Sequence, residues 1–78
     1  MFSYEALGRV VCALRKEKHW TQEVLSGFAG IARTHLTMIE KGTIHANMET
    51  IWRVIAALGV TPADFFTQVQ REMEKENQ

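Results

Sequence analysis

One cysteine, one proline and no net charge: these scarcities narrow the 78-residue chain before any motif is read. Cys12 has no second cysteine with which to form an internal disulfide, which suits a reducing compartment. No apolar run approaches the ~20 residues that span a bilayer. The N-terminus carries no basic region followed by an apolar stretch, so no secretory signal is expected and a cytoplasmic protein is. Zinc chemistry needs converging ligands at short spacings. His19, His35 and His45 with a lone cysteine do not offer them. There is no H-E-x-x-H and no glycine-rich phosphate loop, and no nucleophile, base and orienting acid stand visibly paired. The expectation is neither an enzyme nor a metal or cofactor protein. Repeats, low-complexity stretches and strand candidates are missing too. The length leaves room for one domain, 1–78, and not for two.

What is present is helical. Apolar residues make up 46% of the chain, enough for a globular core. A chain this short buries only ~60% of its unfolded surface, so burial against a second copy would help. Residues 1–45 carry a formal charge of +2 and all three histidines, and residues 46–78 carry −2. The first helix is expected from Ser3 or Tyr4 to Lys18, with Ser3 as cap, Glu5 in the first turn and Leu7, Val10, Val11 and Leu14 as its buried stripe. Its basic end, Arg15 to His19, reads either as a solvated helix end or as a phosphate contact. Trp20 suits a packed corner between helices. Asn47 is expected to cap a helix from Met48 to Leu58, with Met48, Ile51, Val54, Ile55 and Leu58 inward and Gly59 ending it. Thr61 and Pro62 then open a last helix, 62–75, Thr61 as cap and Pro62 at the first helical position. Polar residues after about Glu72 are expected to fray.

Between these lies the stretch that organises the rest. Thr21 is a good N-cap, and Gln22 to Ala29 read as a short helix. Gly30 breaks it where a left-handed backbone is cheap for glycine. A second helix follows from about Ala32 to Lys41, with Leu36 and Ile39 spaced as one inward face and Gly42 ending it. Leu25, Ala29, Ile31, Leu36 and Ile39 form one shared small core. Two short helices locked by a three- or four-residue turn make a helix-turn-helix over 22–41. The whole reads as an all-α, five-helix architecture.

Three segments sharpen this reading: L-R-K-E-K-H-W-T-Q-E, then G-I-A-R-T-H-L-T-M-I-E-K-G, then A-A-L-G-V-T-P-A-D-F-F. In this order and at these gaps, Leu14 to Phe66 resembles the phage-repressor-like helix-turn-helix family, the Cro/CI or XRE type. The resemblance implies a lambda-repressor-like domain. Three departures stand out. Ser26 replaces the usual alanine. Ala32 replaces a capping serine, a loss of ~1 kcal/mol. Thr43-Ile44-His45-Ala46 replaces a loop that usually carries proline. Phe28 stands where the family has a polar residue, and nothing in the sequence accounts for it.

The family lays its second short helix in the DNA major groove. By that resemblance, double-stranded DNA is the expected partner and the outward residues Arg33, Thr34, His35, Thr37 and Met38 are the expected readers. Arg33 suits a bidentate pair to guanine O6 and N7, worth ~1–3 kcal/mol of discrimination; an internal ion pair with Glu23 or Glu40 is the alternative. Thr34 and Thr37 suit bases or phosphates, His35 a phosphate or base edge, and Met38 apolar contact. The Gln22 amide, beside the free N–H groups of its helix end, suits a phosphate. Lys41 and the loop Thr43 to Asn47 suit another.

One small domain makes few phosphate contacts, so a homodimer reading two half-sites is expected. The last helix has surplus apolar surface, which puts Phe65, Phe66, Val69 and Trp52 forward as the interface, with Phe65 also suited to the core. Size, and the ending T-P-A-D-F-F, look like the controller proteins of restriction–modification systems, with RNA polymerase a further partner for an activator. A small phage-type repressor, or an antitoxin-like interaction module, is the alternative. An antitoxin would carry a longer toxin-binding tail than Glu74 to Gln78 supplies.

Overall fold

The computed structural model describes residues 1–77. It contains α1 (Tyr4–Glu17), α2 (Gln22–Ala29), α3 (Arg33–Lys41), α4 (Met48–Leu58) and α5 (Pro62–Glu76), with no strand among the described residues. Four of the five starts are fixed by side-chain caps. Ser3, Thr21, Asn47 and Thr61 accept from the backbone N–H of Ala6, Val24, Thr50 and Asp64 at 2.9–3.2 Å. Each satisfies one of the orphan donors of a first turn. Ala32, ahead of α3, has an extended backbone and makes no such bond. The stops are glycines in the left-handed region at 30, 42 and 59. α1 ends differently: Lys18 is its last capping residue and His19 takes φ 58° without being glycine.

α1 packs on α3 and α5, and α2 packs on α4 and α3. The shared core holds Leu7, Val10, Val11 and Leu14 of α1, Leu25 and Ala29 of α2, Leu36 and Ile39 of α3, Ile51, Val54, Ile55 and Leu58 of α4, and Phe65 and Val69 of α5. Ile31, in the turn, and Trp20, at the corner, pack against it. The unusual loop before α4 is anchored without proline. Ile44 packs on the core, Ala46 is buried, and the His45 ring stacks on Tyr4 with centroids 4.1 Å apart.

Three expectations are corrected. Phe65 and Val69 are 0% and 1% exposed inside a single chain, so neither offers surface to a second copy. Both face α1 and α4 because residues four apart share a helix face, whereas Phe66, one position on from Phe65, lies at the rim, half-buried. Met48, assigned to the buried face, is exposed in the first turn of α4, beyond the reach of the core. The end of α5 does not fray at Glu72 but continues to Glu76. Arg9 bonds Glu72 at 3.1 Å and Glu76 at 2.5 Å, and the Ser3 hydroxyl donates to Glu76 at 3.0 Å. Exposed pairs of this kind each contribute little. Together they tie the last turn to the start of α1.

Candidate nucleic-acid interface

The turn between α2 and α3 is three residues long, Gly30 to Ala32. Gly30 sits at φ 71°, and the Ile31 N–H donates to the Ser26 carbonyl at 3.0 Å, closing the end of α2. Leu36 and Ile39 then hold α3 against the core. Helical geometry leaves Arg33, Thr34, Thr37, Met38 and Lys41 on the opposite side. Of these, Arg33, Thr34, Met38 and Lys41 are exposed and Thr37 is half-buried. His35 lies nearer the core edge and is also half-buried, so it sits at the margin of this face. Arg33 makes none of the ion pairs found among the described residues. The internal pairing with Glu23 or Glu40 is therefore not formed.

Beneath the face runs a polar network that joins three helices. Arg15 Nε donates to Glu40 Oε2 at 2.7 Å and Arg15 Nη2 to Glu40 Oε1 at 3.0 Å. Arg15 Nη1 donates to the Trp20 carbonyl at 2.7 Å. Glu40 Oε1 also accepts from Gln22 Nε2 at 3.0 Å, and Gln22 Oε1 accepts from the Thr37 hydroxyl at 2.7 Å. The Arg15 and Glu40 side chains are only 11% and 6% exposed, which makes this a buried ion pair. Burial pushes the Glu40 carboxyl up, but hydrogen bonds from Arg15 and Gln22, with the Arg15 charge, outweigh it and hold Glu40 below the ordinary carboxylate range. Arg15 is raised in turn, chiefly by its hydrogen bonds to Glu40. Arg15 is thus neither the solvated helix end nor the phosphate contact expected of it.

The proposed readers therefore fall into groups. Gln22, Arg33 and Thr37 come together: Thr37 bonds Gln22, and Gln22 and Arg33 line one open hollow of about 440 Å³ with Thr21 and Glu23. The Gln22 amide is partly committed, one N–H to Glu40 and the carbonyl oxygen to Thr37. One amide N–H remains for an outside acceptor. The Asn47 carbonyl oxygen is spent on capping α4 through Thr50 N–H. Sequence reading missed the pairing of Arg15 with Glu40, whose separation of 25 residues carries no local periodicity.

A second surface is apolar. Phe2, Met48 and Trp52 are exposed, and Phe66 is half-buried. Phe2, Tyr4, His45, Met48, Ile51 and Phe66 line a hollow of about 410 Å³. Met48 and Trp52 are four residues apart on α4 and share its outer edge. Phe28 is accounted for in part: its ring lies 5.1 Å from that of Trp20, which also carries Lys18 over its face at 5.1 Å. It remains 66% exposed.

Two short helices crossed by a glycine turn, with an uncommitted polar face on the second, are a helix-turn-helix. The chain belongs to the helix-turn-helix family HTH_3, which matches residues 13–65. The Cro/CI, XRE-type resemblance is thereby confirmed. Among solved structures, the chain is similar to the restriction–modification controller protein C.Esp1396I, at 25% identity over 96% of this chain and 97% of that one, with a TM-score of 0.88. The same protein, as a tetramer in complex with its natural 35 base-pair operator, matches at 25% identity over 92% and 95%, TM-score 0.85. The clp gene regulator ClgR from C. glutamicum is similar at 26% identity over 94% and 95%, TM-score 0.86. No curated protein sequence matches the chain. No described helix is long and apolar enough to cross a membrane.

Proposed function

We propose that this chain is a cytoplasmic, sequence-specific DNA-binding transcriptional regulator, a single domain that acts as a homodimer on a pseudo-palindromic operator and controls restriction–modification genes. The observation that carries the reading is the outer face of α3. Arg33, Thr34, Met38 and Lys41 are exposed there without a structural duty, on a scaffold shared with a controller protein that binds its operator. Arg33 supplies a bidentate fork for guanine. The remaining Gln22 N–H and the free backbone donors at the start of α2 meet a phosphate, which positions the protein without reading sequence. Lys41 adds a second phosphate contact. The controller protein C.Esp1396I sits on its 35 base-pair operator as a tetramer, an even number of copies that agrees with a pair as the binding unit.

Selection of bound duplexes from a random pool tests this directly. The enriched sequence should have two-fold symmetry, with half-sites about one helical turn apart. Arg33→Ala should relax preference at one base position of each half-site, by about 1–3 kcal/mol. Unchanged selectivity at every position would refute the role of Arg33, and no enrichment at all would refute DNA binding.

The dimer surface is assigned to Phe66, Trp52, Met48 and Phe2, the exposed or half-exposed apolar residues around α4 and the start of α5. Phe66→Asp should give monomers in light scattering and weaken operator binding while leaving the helical signal intact. A dimer that survives this change would move the interface to another face.

A further inference from the structure

The network under α3 has a direction, and that direction reaches the surface. Arg15 only donates hydrogen bonds, and an ionised Glu40 only accepts them. Gln22 therefore turns its NH₂ group to Glu40, at 3.0 Å. That fixes the amide orientation chemically, since the reverse would set a carbonyl oxygen against a carboxylate. Gln22 Oε1 is left facing Thr37, at 2.7 Å, and it too only accepts. The single Thr37 hydroxyl hydrogen must go inward. Its second neighbour, the Arg33 carbonyl at 3.0 Å, is another acceptor and makes the same demand. A threonine hydroxyl has one hydrogen and two lone pairs. Only lone pairs remain for the half-exposed side of Thr37.

We propose that Thr37 reads one base position of each half-site as a hydrogen-bond acceptor, selecting the exocyclic amine of adenine or cytosine. The proposal rests on the DNA-binding reading above and adds the sign of one contact to it. In the major groove adenine N6 and cytosine N4 are donors, whereas guanine presents O6 and N7 and thymine presents O4, all acceptors. A hydroxyl whose hydrogen is already held inside the protein meets the first pair favourably and the second pair lone pair to lone pair. An unconstrained threonine would rotate to suit either class. Arg15, 22 residues upstream, is thus a positioning residue for the base contact.

The test compares wild type, Thr37→Val and Thr37→Ser by enrichment from a random duplex pool, with thermal melts to confirm that all three fold. Valine keeps the shape and removes the hydroxyl, and serine keeps the hydroxyl. Wild type should prefer one base pair by about tenfold at one position per half-site, and replacing that pair's adenine or cytosine by its analogue without the exocyclic amine should lose the preference. Thr37→Val should flatten that position alone, and Thr37→Ser should retain it. If wild type binds the analogue lacking the amine as well as the natural base, if no position flattens, or if serine flattens it too, the acceptor role is overturned while DNA binding stands. If wild type enriches no sequence, the functional reading itself fails and this inference with it.

Discussion

Arg15→Met is expected to remove about 3–5 kcal/mol of folding stability at neutral pH, because it leaves Glu40 buried and unpaired. For a domain whose whole stability is of order 5–15 kcal/mol, that brings the fold near its limit. The substitution also orphans the Trp20 carbonyl, which now accepts from Arg15 Nη1 at 2.7 Å. The pH dependence distinguishes this account from a simple packing defect. In the native protein Glu40 titrates below its unfolded value, so its contribution is present above about pH 4.3 and is lost as the pH falls through the lower folded value. In Arg15→Met the hydrogen bond from Gln22 still opposes burial, but burial is the largest single influence on the carboxyl, so the folded Glu40 is expected above its unfolded value. The variant should then grow more stable as the pH drops from 7 toward about 4.3, while the wild type does not. Urea denaturation at several pH values reads both slopes. Parallel curves would mean that Glu40 is not the charge the substitution exposes.

That ion pair also marks where the sequence stopped being informative. Helix boundaries were legible because their signals are local: Ser3, Thr21, Asn47 and Thr61 each cap within three residues. The outward face of α3 was legible for the same reason, since Leu36 and Ile39 set its phase. Arg15 was not, because a guanidinium near a helix C-terminus has the same local pattern whether it meets water or a carboxylate 25 residues on. Val69 and Phe66 were equally open to misreading. They are three residues apart on one amphipathic helix, and only the packing of α5 against α1 decides which is covered. Thr37 could be placed on the exposed face from sequence, but its hydrogen-bonding sign depends on Gln22 and hence on Glu40.

Gly8→Ala is expected to be destabilising by up to about 2 kcal/mol, against the usual preference for alanine in a helix. Gly8 lies in the middle of α1, where exchanging glycine for alanine ordinarily gains ~1 kcal/mol. Here the added Cβ would lie 2.5 Å from the Glu40 carbonyl oxygen and 2.8 Å from its carbonyl carbon, with the Ile39 carbonyl oxygen also in contact. These are backbone atoms of α3 and cannot swing aside as a long side chain would. Overpacking of this kind costs about 1–3 kcal/mol and occasionally more, so the clash wins. Relief requires α1 and α3 to separate, which moves the carrier of Arg33 and Thr37 and stretches the Arg15–Glu40 pair. Gly8→Ala should therefore lower both the melting temperature and operator affinity. Gly27→Ala is the internal control: that glycine is also helical, but its added Cβ meets nothing within 4 Å. It should gain up to about 1 kcal/mol and leave DNA binding unchanged. If both substitutions stabilise the protein alike, the close approach of α1 to α3 is not what fixes the position of α3.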